Sequence, residues 1–341
     1  MSKLKVYITT LLCLSMSLVL LCGCAKAVIT EPIQEPEVEE KLTVIGFSQP
    51  GAESDWRVAH TNSVINAFTE EKGYKLLYKD GQSRQENQIK DIRTFIQQQV
   101  DYIILSPIVE TGWDSVLEEA KEAGIPVIIS DRAVDVEDDT LYTAYVGSNF
   151  SEEGAVAVNY LENYLTQRSL NEEPFNIIHI QGTIGSSAQK GRTEALEKAC
   201  EENPNWNIVA QASGDFTKAK GYEVMKEILK EVDRNDINVV YCENDNMAYG
   251  VIDALYEKGI SYGTYGRVMV VSFDATKEAL EKCKEGKINI EIECNPDQGP
   301  LLLQTIEALK ANERVPCNKY VSESYFLPET LSENIINNRT Y

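Results

Sequence analysis

The residues from Gly46 to Arg57, Gly-Phe-Ser-Gln-Pro-Gly-Ala-Glu-Ser-Asp-Trp-Arg, hold a mixture that suits a neutral polyhydroxylated ligand. Glu53 accepts hydrogen bonds, Ser54 and Asp55 are small and polar, and Arg57 offers a fork of donors. Trp56 adds a flat apolar face for C–H surface. Glu53 to Asp55 could equally cap a helix, and Trp56 could pack in a core, so this stretch alone leaves both readings open. Residues of the same kind recur after later apolar runs. Asp131-Arg132 follows Pro126–Ser130, and Arg192 comes after Asn176–Gln181 and a Gly-Thr-Ile-Gly-Ser-Ser turn. Glu243-Asn244-Asp245 follows Ile237–Cys242, Asp274 follows Val268–Ser272 by one phenylalanine, and Cys294-Asn295 follows Ile288–Glu293. Acids and amides at such places cap helices as a rule. Capping does not call for the arginines.

Positions like these are useful only if strands bring them to one edge. The strand candidates are Leu42–Phe47, Lys75–Lys79, Tyr102–Ser106, Pro126–Ser130, Leu141–Val146, Asn176–Gln181, Asn207–Gln211, Ile237–Cys242, Val268–Ser272 and Ile288–Glu293. Helical patterns lie between most of them, as over Gln85–Gln97, Trp113–Glu122, Glu152–Tyr164, Gln189–Glu201, Lys218–Val232 and Met247–Glu257. The stretch after Gly51 also reads as a helix, with Trp56, Ala59, Ile65 and Phe68 among its apolar positions. Strands alternating with helices predict an α/β chain of βαβ units with parallel sheets. So many strands exceed an ordinary sheet, so two sheets in two domains are expected, one series starting at Leu42 and the other at Asn176.

Composition narrows the function. A net charge of −22 excludes a nucleic-acid partner, because phosphate contacts need clustered Lys and Arg. The two histidines, His60 and His179, lack a carboxylate at motif spacing, and neither an H-E-x-x-H nor a Walker A run occurs. The eight cysteines contain no C-x-x-C among those after Cys24, so neither a zinc site nor a redox pair is indicated, and disulfide pairing is left open. No catalytic residue, metal ligand or cofactor is therefore expected. A secreted glycoside hydrolase with two carboxylates across a cleft is the enzymatic alternative.

The N-terminus reads as a secretory leader. Lys3 and Lys5 precede the mostly apolar Val6–Leu21, and Leu21-Cys22-Gly23-Cys24 resembles a bacterial lipobox. Residues 1–23 are thus expected to be a signal peptide, with a lipid on Cys24. Residues 24–41 are expected to form an acidic, Pro/Glu-rich tether too polar to fold.

Seven segments together carry a family resemblance: Gly46–Arg57, Asp80–Lys90, Pro107–Trp113, Ser130–Asp135, Gln181–Ser187, Ser213–Thr217 and Glu243–Met247. They resemble type I periplasmic sugar-binding proteins of the ribose and galactose group, and within it the galactofuranose-binding branch. The resemblance implies two Rossmann-like lobes with parallel sheets, joined by a hinge of three crossings near Val146–Ser148, Glu293–Asn295 and Tyr320–Ser324. It divides the chain into an N-lobe, residues 42–146 plus 294–321, and a C-lobe, residues 147–293 plus 322–341. Ligand-binding residues carried over are Glu53, Ser54, Asp55, Trp56, Arg57, Asp131 and Arg132 from the N-lobe, and Arg192, Asn244 and Asp274 from the C-lobe. Asp55 departs from the small residue expected there, and Cys294-Asn295 also differs. The function implied is that of a monomeric, membrane-anchored extracytoplasmic lipoprotein. It would capture a galactofuranose-like monosaccharide and deliver it to an ABC transporter permease. A sugar sensor feeding a chemotaxis receptor or a sensor kinase would use the same chemistry.

Overall fold

The computed structural model describes residues 41–341; the expected leader, Cys24 and all of the tether but Lys41 lie outside the described residues. The elements begin with β1 (Thr43–Gln49), α1 (Asp55–Ala67), β2 (Tyr74–Asp80), α2 (Gln85–Gln97), β3 (Tyr102–Leu105), α3 (Asp114–Glu122), β4 (Val127–Asp131) and β5 (Ala144–Gly147). They continue with α4 (Phe150–Arg168), β6 (Phe175–Gln181), α5 (Ser187–Glu202), β7 (Trp206–Ser213), α6 (Lys218–Glu231), β8 (Val239–Cys242), α7 (Asp245–Glu257), β9 (Met269–Asp274), α8 (Lys277–Lys284) and β10 (Ile290–Glu293). The last are α9 (Gly299–Lys310), β11 (Asn318–Tyr320), β12 (Tyr325–Phe326) and α10 (Glu333–Asn338).

The strands form two sheets of six. One runs β11-β5-β4-β3-β1-β2, all parallel; the other runs β12-β10-β9-β8-β6-β7, parallel except for β12, which is antiparallel to β10. All ten expected strands form. The short β11 and β12 carry no apolar run and were not foreseen. In each sheet the first strand, β1 or β6, sits between the second and third, so the strand order reverses beside it. Open α/β sheets bind ligands at the carboxyl ends of strands at such a switch point.

Both sheets are covered on two faces. Ile45, Phe47 and Val64 pack with Leu302 and Ile306 under α1 and α9, while Phe95, Ile103 and Leu117 pack under α2 and α3. In the second lobe Leu161 and Leu196 fill one face, and Met225, Val251 and Leu255 the other. Gly46 is required in β1 because a Cβ there would sit 2.5 Å from Cγ of Phe95. Three short crossings join the lobes, over residues 148–149, 294–298 and 321–324. Among the described residues no helix is long and apolar enough to cross a membrane.

One helix face differs from expectation. In α1 the inward residues are Trp56, Arg57, His60, Val64 and Ala67, whereas Ile65 is 39% exposed and Ala59 only half-buried. The helix turns a partly polar face inward, and that face has buried partners for its charge.

Candidate functional site

The carboxyl ends of β1, β4, β6, β8, β9 and β10 meet where the two lobes face each other. Ser54 caps α1, its Oγ accepting from the Arg57 amide at 3.1 Å. That cap sets Arg57 inside the first turn, 2% exposed, where its Nε donates to Glu53 at 3.0 Å and its Nη1 lies 2.6 Å from Asp131. Arg132 reaches the same Glu53 oxygen at 3.1 Å. On the opposite lobe Arg192 projects from α5. It donates to Glu153 at 2.7 Å and to the Glu243 carbonyl, and lies 3.7 Å from Asp274. Each lobe thus presents buried guanidinium groups already held by carboxylates.

Burial disfavours charge on all of these groups, and the pairing decides who keeps it. Burial alone would lower Arg57, but Asp131 and Glu53 hold it above its ordinary value. Burial likewise opposes ionisation of Glu53, and Arg57 and Arg132 more than reverse this, so its carboxyl is held below the usual range. Asp274 goes the other way. Burial pushes it well above the carboxylate range despite Arg192.

Three aromatic rings complete the walls: Trp56, Phe150 and Phe216. Trp56 stacks on His60, with ring centroids 5.3 Å apart and planes 9° from parallel, and its Nε1 donates to the Cys294 carbonyl in the second crossing. Gly182 leaves the room that Phe216 fills; a Cβ there would lie 1.9 Å from the ring. Backbone strain gathers at the same place. Asp131, Phe216 and Asp274 have φ of 64°, 59° and 111°, in the region that non-glycine residues avoid and that collects at ligand sites.

The space enclosed is about 20 Å³, room for roughly one water. The lobes are closed over it. Asp55 and Asn246 exchange two hydrogen bonds across the rim, Ser187 Oγ accepts from the Ala133 amide at 2.8 Å, and Lys190 pairs with Glu110. A ligand larger than a water molecule enters such a site only when the lobes part.

Of the residues expected at the site, Ser54, Trp56, Arg57, Asp131, Arg132, Arg192, Asn244 and Asp274 line this cavity. Glu53 and Asp55 do not line it: Glu53 stands behind Arg57 and Arg132, and Asp55 is on the exposed rim. The side chain of Asn244 is occupied by capping α7, accepting from the Met247 amide, and by donating to the Phe216 carbonyl. Phe150, Ala188, Phe216 and Cys294 line the cavity without having been singled out as site residues. Phe47 and Trp113 are fully buried within lobe cores.

Neither histidine lines the cavity. His60 bonds Ser130 and Gln298 at 3.1 Å, and His179 bonds Glu243 at 2.9 Å, both in buried structural networks. One G-x-S-x-G run does occur, Gly259 to Gly263, but it leaves the end of a helix and leads toward β9. That reverses the strand-to-helix elbow of a hydrolase, and Ser261 Oγ accepts from Arg267 in its own turn. The five described cysteines are all free thiols.

Comparison with known proteins agrees with this geometry. A family model described as a periplasmic binding protein domain matches residues 45–312. The galactofuranose-binding protein YtfQ of Escherichia coli (strain K12) is 36% identical over 293 residues, covering 85% of this chain and 90% of the relative. A Mycobacterium smegmatis structure in complex with β-D-fucofuranose superposes with a TM-score of 0.81 at 39% identity, covering 87% of this chain and 95% of that one. The binding component of the arabinose ABC transporter from Shewanella sp. ANA-3, bound to α- and β-L-arabinofuranose, gives 0.79 at 36% identity, with 87% and 96% covered.

Proposed function

Because the chain belongs to the periplasmic binding protein family, whose members of this kind are sugar-binding components of ABC importers, we propose that it captures a monosaccharide in the five-membered furanose form between its lobes and hands it to an ABC permease. The observation that carries this is the convergence of Arg57, Asp131 and Arg132 from one lobe with Arg192 and Asp274 from the other on one aromatic-walled cavity. Relatives at this level of identity bind galactofuranose, fucofuranose and arabinofuranose. We take residues 42–146 plus 294–321 as the N-lobe and 147–293 plus 322–341 as the C-lobe. The protein works outside the cytoplasm as a monomer, held to the membrane by a lipid on Cys24.

The mechanism is selection of a closed state. A sugar hydroxyl between Arg132 and Arg192 has donors on both sides only when the lobes are together, so ligand favours closure by its differential affinity. The guanidinium groups turn from protein carboxylates toward sugar oxygens, and the Asp274 carboxyl bonds a sugar hydroxyl. Trp56, Phe150 and Phe216 cover the C–H surface of the ring. No bond of the sugar is made or broken.

Thermal-shift and calorimetric titration test this with L-arabinose, D-fucose and D-galactose, each beside its methyl pyranoside, which is locked as a six-membered ring. Free sugars that reach the furanose form should raise the melting temperature by mass action, and the locked pyranosides should not. Tight binding of a locked pyranoside with no response to the free sugars would overturn the furanose reading.

A further inference from the structure

The place where the three crossings meet holds a buried cluster beside the sugar cavity, which Cys294 also lines. The sulfur of Cys294 and one carboxylate oxygen each from Glu153 and Glu323 lie within 4.8 Å of one another. Cys294 belongs to the second crossing, Glu323 to the third, and Glu153 to the first turn of α4, just after the first crossing. Glu323 ties the crossings together, accepting from Ser148 Oγ at 2.5 Å and from the Asn295 amide at 2.8 Å. Ser148 Oγ in turn lies 3.4 Å from the Cys294 sulfur.

The protein groups around this cluster leave one of its oxygens without a partner. Arg192 is the guanidinium that reaches the cluster, through Oε2 of Glu153 at 2.7 Å, and it also faces Asp274. The other oxygen, Oε1, is buried without a hydrogen-bond partner on a residue only 3% exposed. Two carboxylates and a thiol are a donor set for a borderline divalent cation. Calcium and magnesium prefer oxygen alone, whereas zinc and cadmium accept thiolate with carboxylate. Zinc–ligand bonds of about 2.0–2.3 Å would draw the three atoms together by roughly 1 Å from their present spacing. Residues on short crossings can supply that movement.

We propose that Glu153, Cys294 and Glu323 form a hinge site for a zinc-class divalent cation. The cation joins the second and third crossings to α4 and holds them at one hinge angle. On binding, the Cys294 thiol releases its proton to solvent, and the thiolate and two carboxylates face the divalent ion, with Arg192 beside Glu153.

The full chain, kept reduced, is titrated with zinc against a competing chelator, and with cadmium while the ultraviolet charge-transfer band of a cadmium–thiolate bond is followed. One equivalent of zinc and a saturable cadmium band are expected. Cys294→Ser should remove that band and weaken zinc at least tenfold, while Cys317→Ser, at an exposed cysteine, should change neither. Glu323→Gln keeps the thiol and should also weaken zinc at least tenfold, which keeps the test open if Cys294→Ser melts at working temperature. Absence of stoichiometric zinc binding by the unsubstituted chain, a band of equal height in Cys294→Ser, or unchanged zinc affinity in Glu323→Gln would each overturn the site.

Discussion

The guanidinium of Arg132, on the first lobe, lies over the ring of Phe216 on the second, its Cζ 5.1 Å from the ring centroid. Both are nearly fully buried, and both line the cavity. This contact therefore exists only when the lobes are together. A cation over an aromatic face in a desolvated setting contributes about 0.5–2 kcal/mol, enough to shift an open–closed equilibrium several-fold.

Phe216→Ala should therefore weaken sugar binding by about tenfold, at roughly 1.4 kcal/mol per decade, and should enlarge the radius of gyration of the sugar-free chain in small-angle scattering. If Phe216 were only lobe core, the change would instead cost roughly 3–5 kcal/mol of stability and leave the radius of gyration as it was. Scattering and a melting curve on the same variant separate these outcomes.

Arg192 and Asp274 should respond differently to substitution, although both face the same cavity. Arg192→Ala strands Glu153, its 2.7 Å partner, in a buried site, and removing one member of a buried pair costs roughly 3–5 kcal/mol. It should lower the melting temperature as well as weaken binding by roughly ten- to a hundredfold. Asp274→Asn replaces a carboxyl that burial pushes well above the usual range despite Arg192. A site that uses the protonated acid should keep affinity within about threefold of the unsubstituted protein, since Asn matches its shape and neutrality. A hundredfold loss in Asp274→Asn, measured by calorimetry, would mean that the site uses the ionised form.

Much of this arrangement could be read from the sequence, and the parts that could not have identifiable causes. The ten main strands were legible because each is a short apolar run between helical periods, as in Ile237–Cys242. β11 and β12 were not, because three and two residues such as Asn-Lys-Tyr and Tyr-Phe have no pattern to detect. Arg57, Arg132 and Arg192 stood out because helix caps do not need arginine. Glu153 was hidden because an acid in the first turn of a helix is ordinarily a solvated partner of the dipole; only the fold shows it buried against Arg192. Phe216 was in view within Ser213–Thr217, but a lone phenylalanine looks the same in sequence whether it fills a core or a cleft. The inward turn of Arg57 and His60 on α1 defeated the apolar period, since a polar face that carries a site breaks the rule that buries Ala59 and Ile65.

The anchoring reading rests on the spacing Leu21-Cys22-Gly23-Cys24 after an apolar run. Cys24→Ala should release the protein from membranes or leave it unprocessed, as read by fractionation and by intact mass. Normal processing with full membrane retention in that variant would exclude a lipid at this position.

His60 gives the protein a built-in sensitivity to acid. Burial is the main cause, and the ring is pushed from an ordinary value of 6.5 down to about 4, with Arg57 opposing its charge and Asp131 favouring it. In the unfolded chain the ring takes up a proton as the pH falls through about 6.5, whereas the folded ring stays neutral until about 4. The unfolded state therefore binds more protons across that window, and stability contributed at His60 is complete above pH 6.5 and declines as the pH falls toward 4. Each pKa unit corresponds to roughly 1.4 kcal/mol, so the loss by pH 4 approaches roughly 3 kcal/mol. Buried acids with raised values, such as Asp274, run in the opposite sense, so the His60 contribution must be read as a difference. His60→Gln removes the titrating ring and retains an amide that can bond Ser130 or Gln298. Its stability relative to the unsubstituted protein, from urea titrations at pH 7 and pH 4.5, should improve on acidification by roughly 2–3 kcal/mol. A difference that stays constant between the two pH values would mean that His60 takes up its proton at the same pH in the folded and unfolded chains, and that burial does not hold the ring neutral.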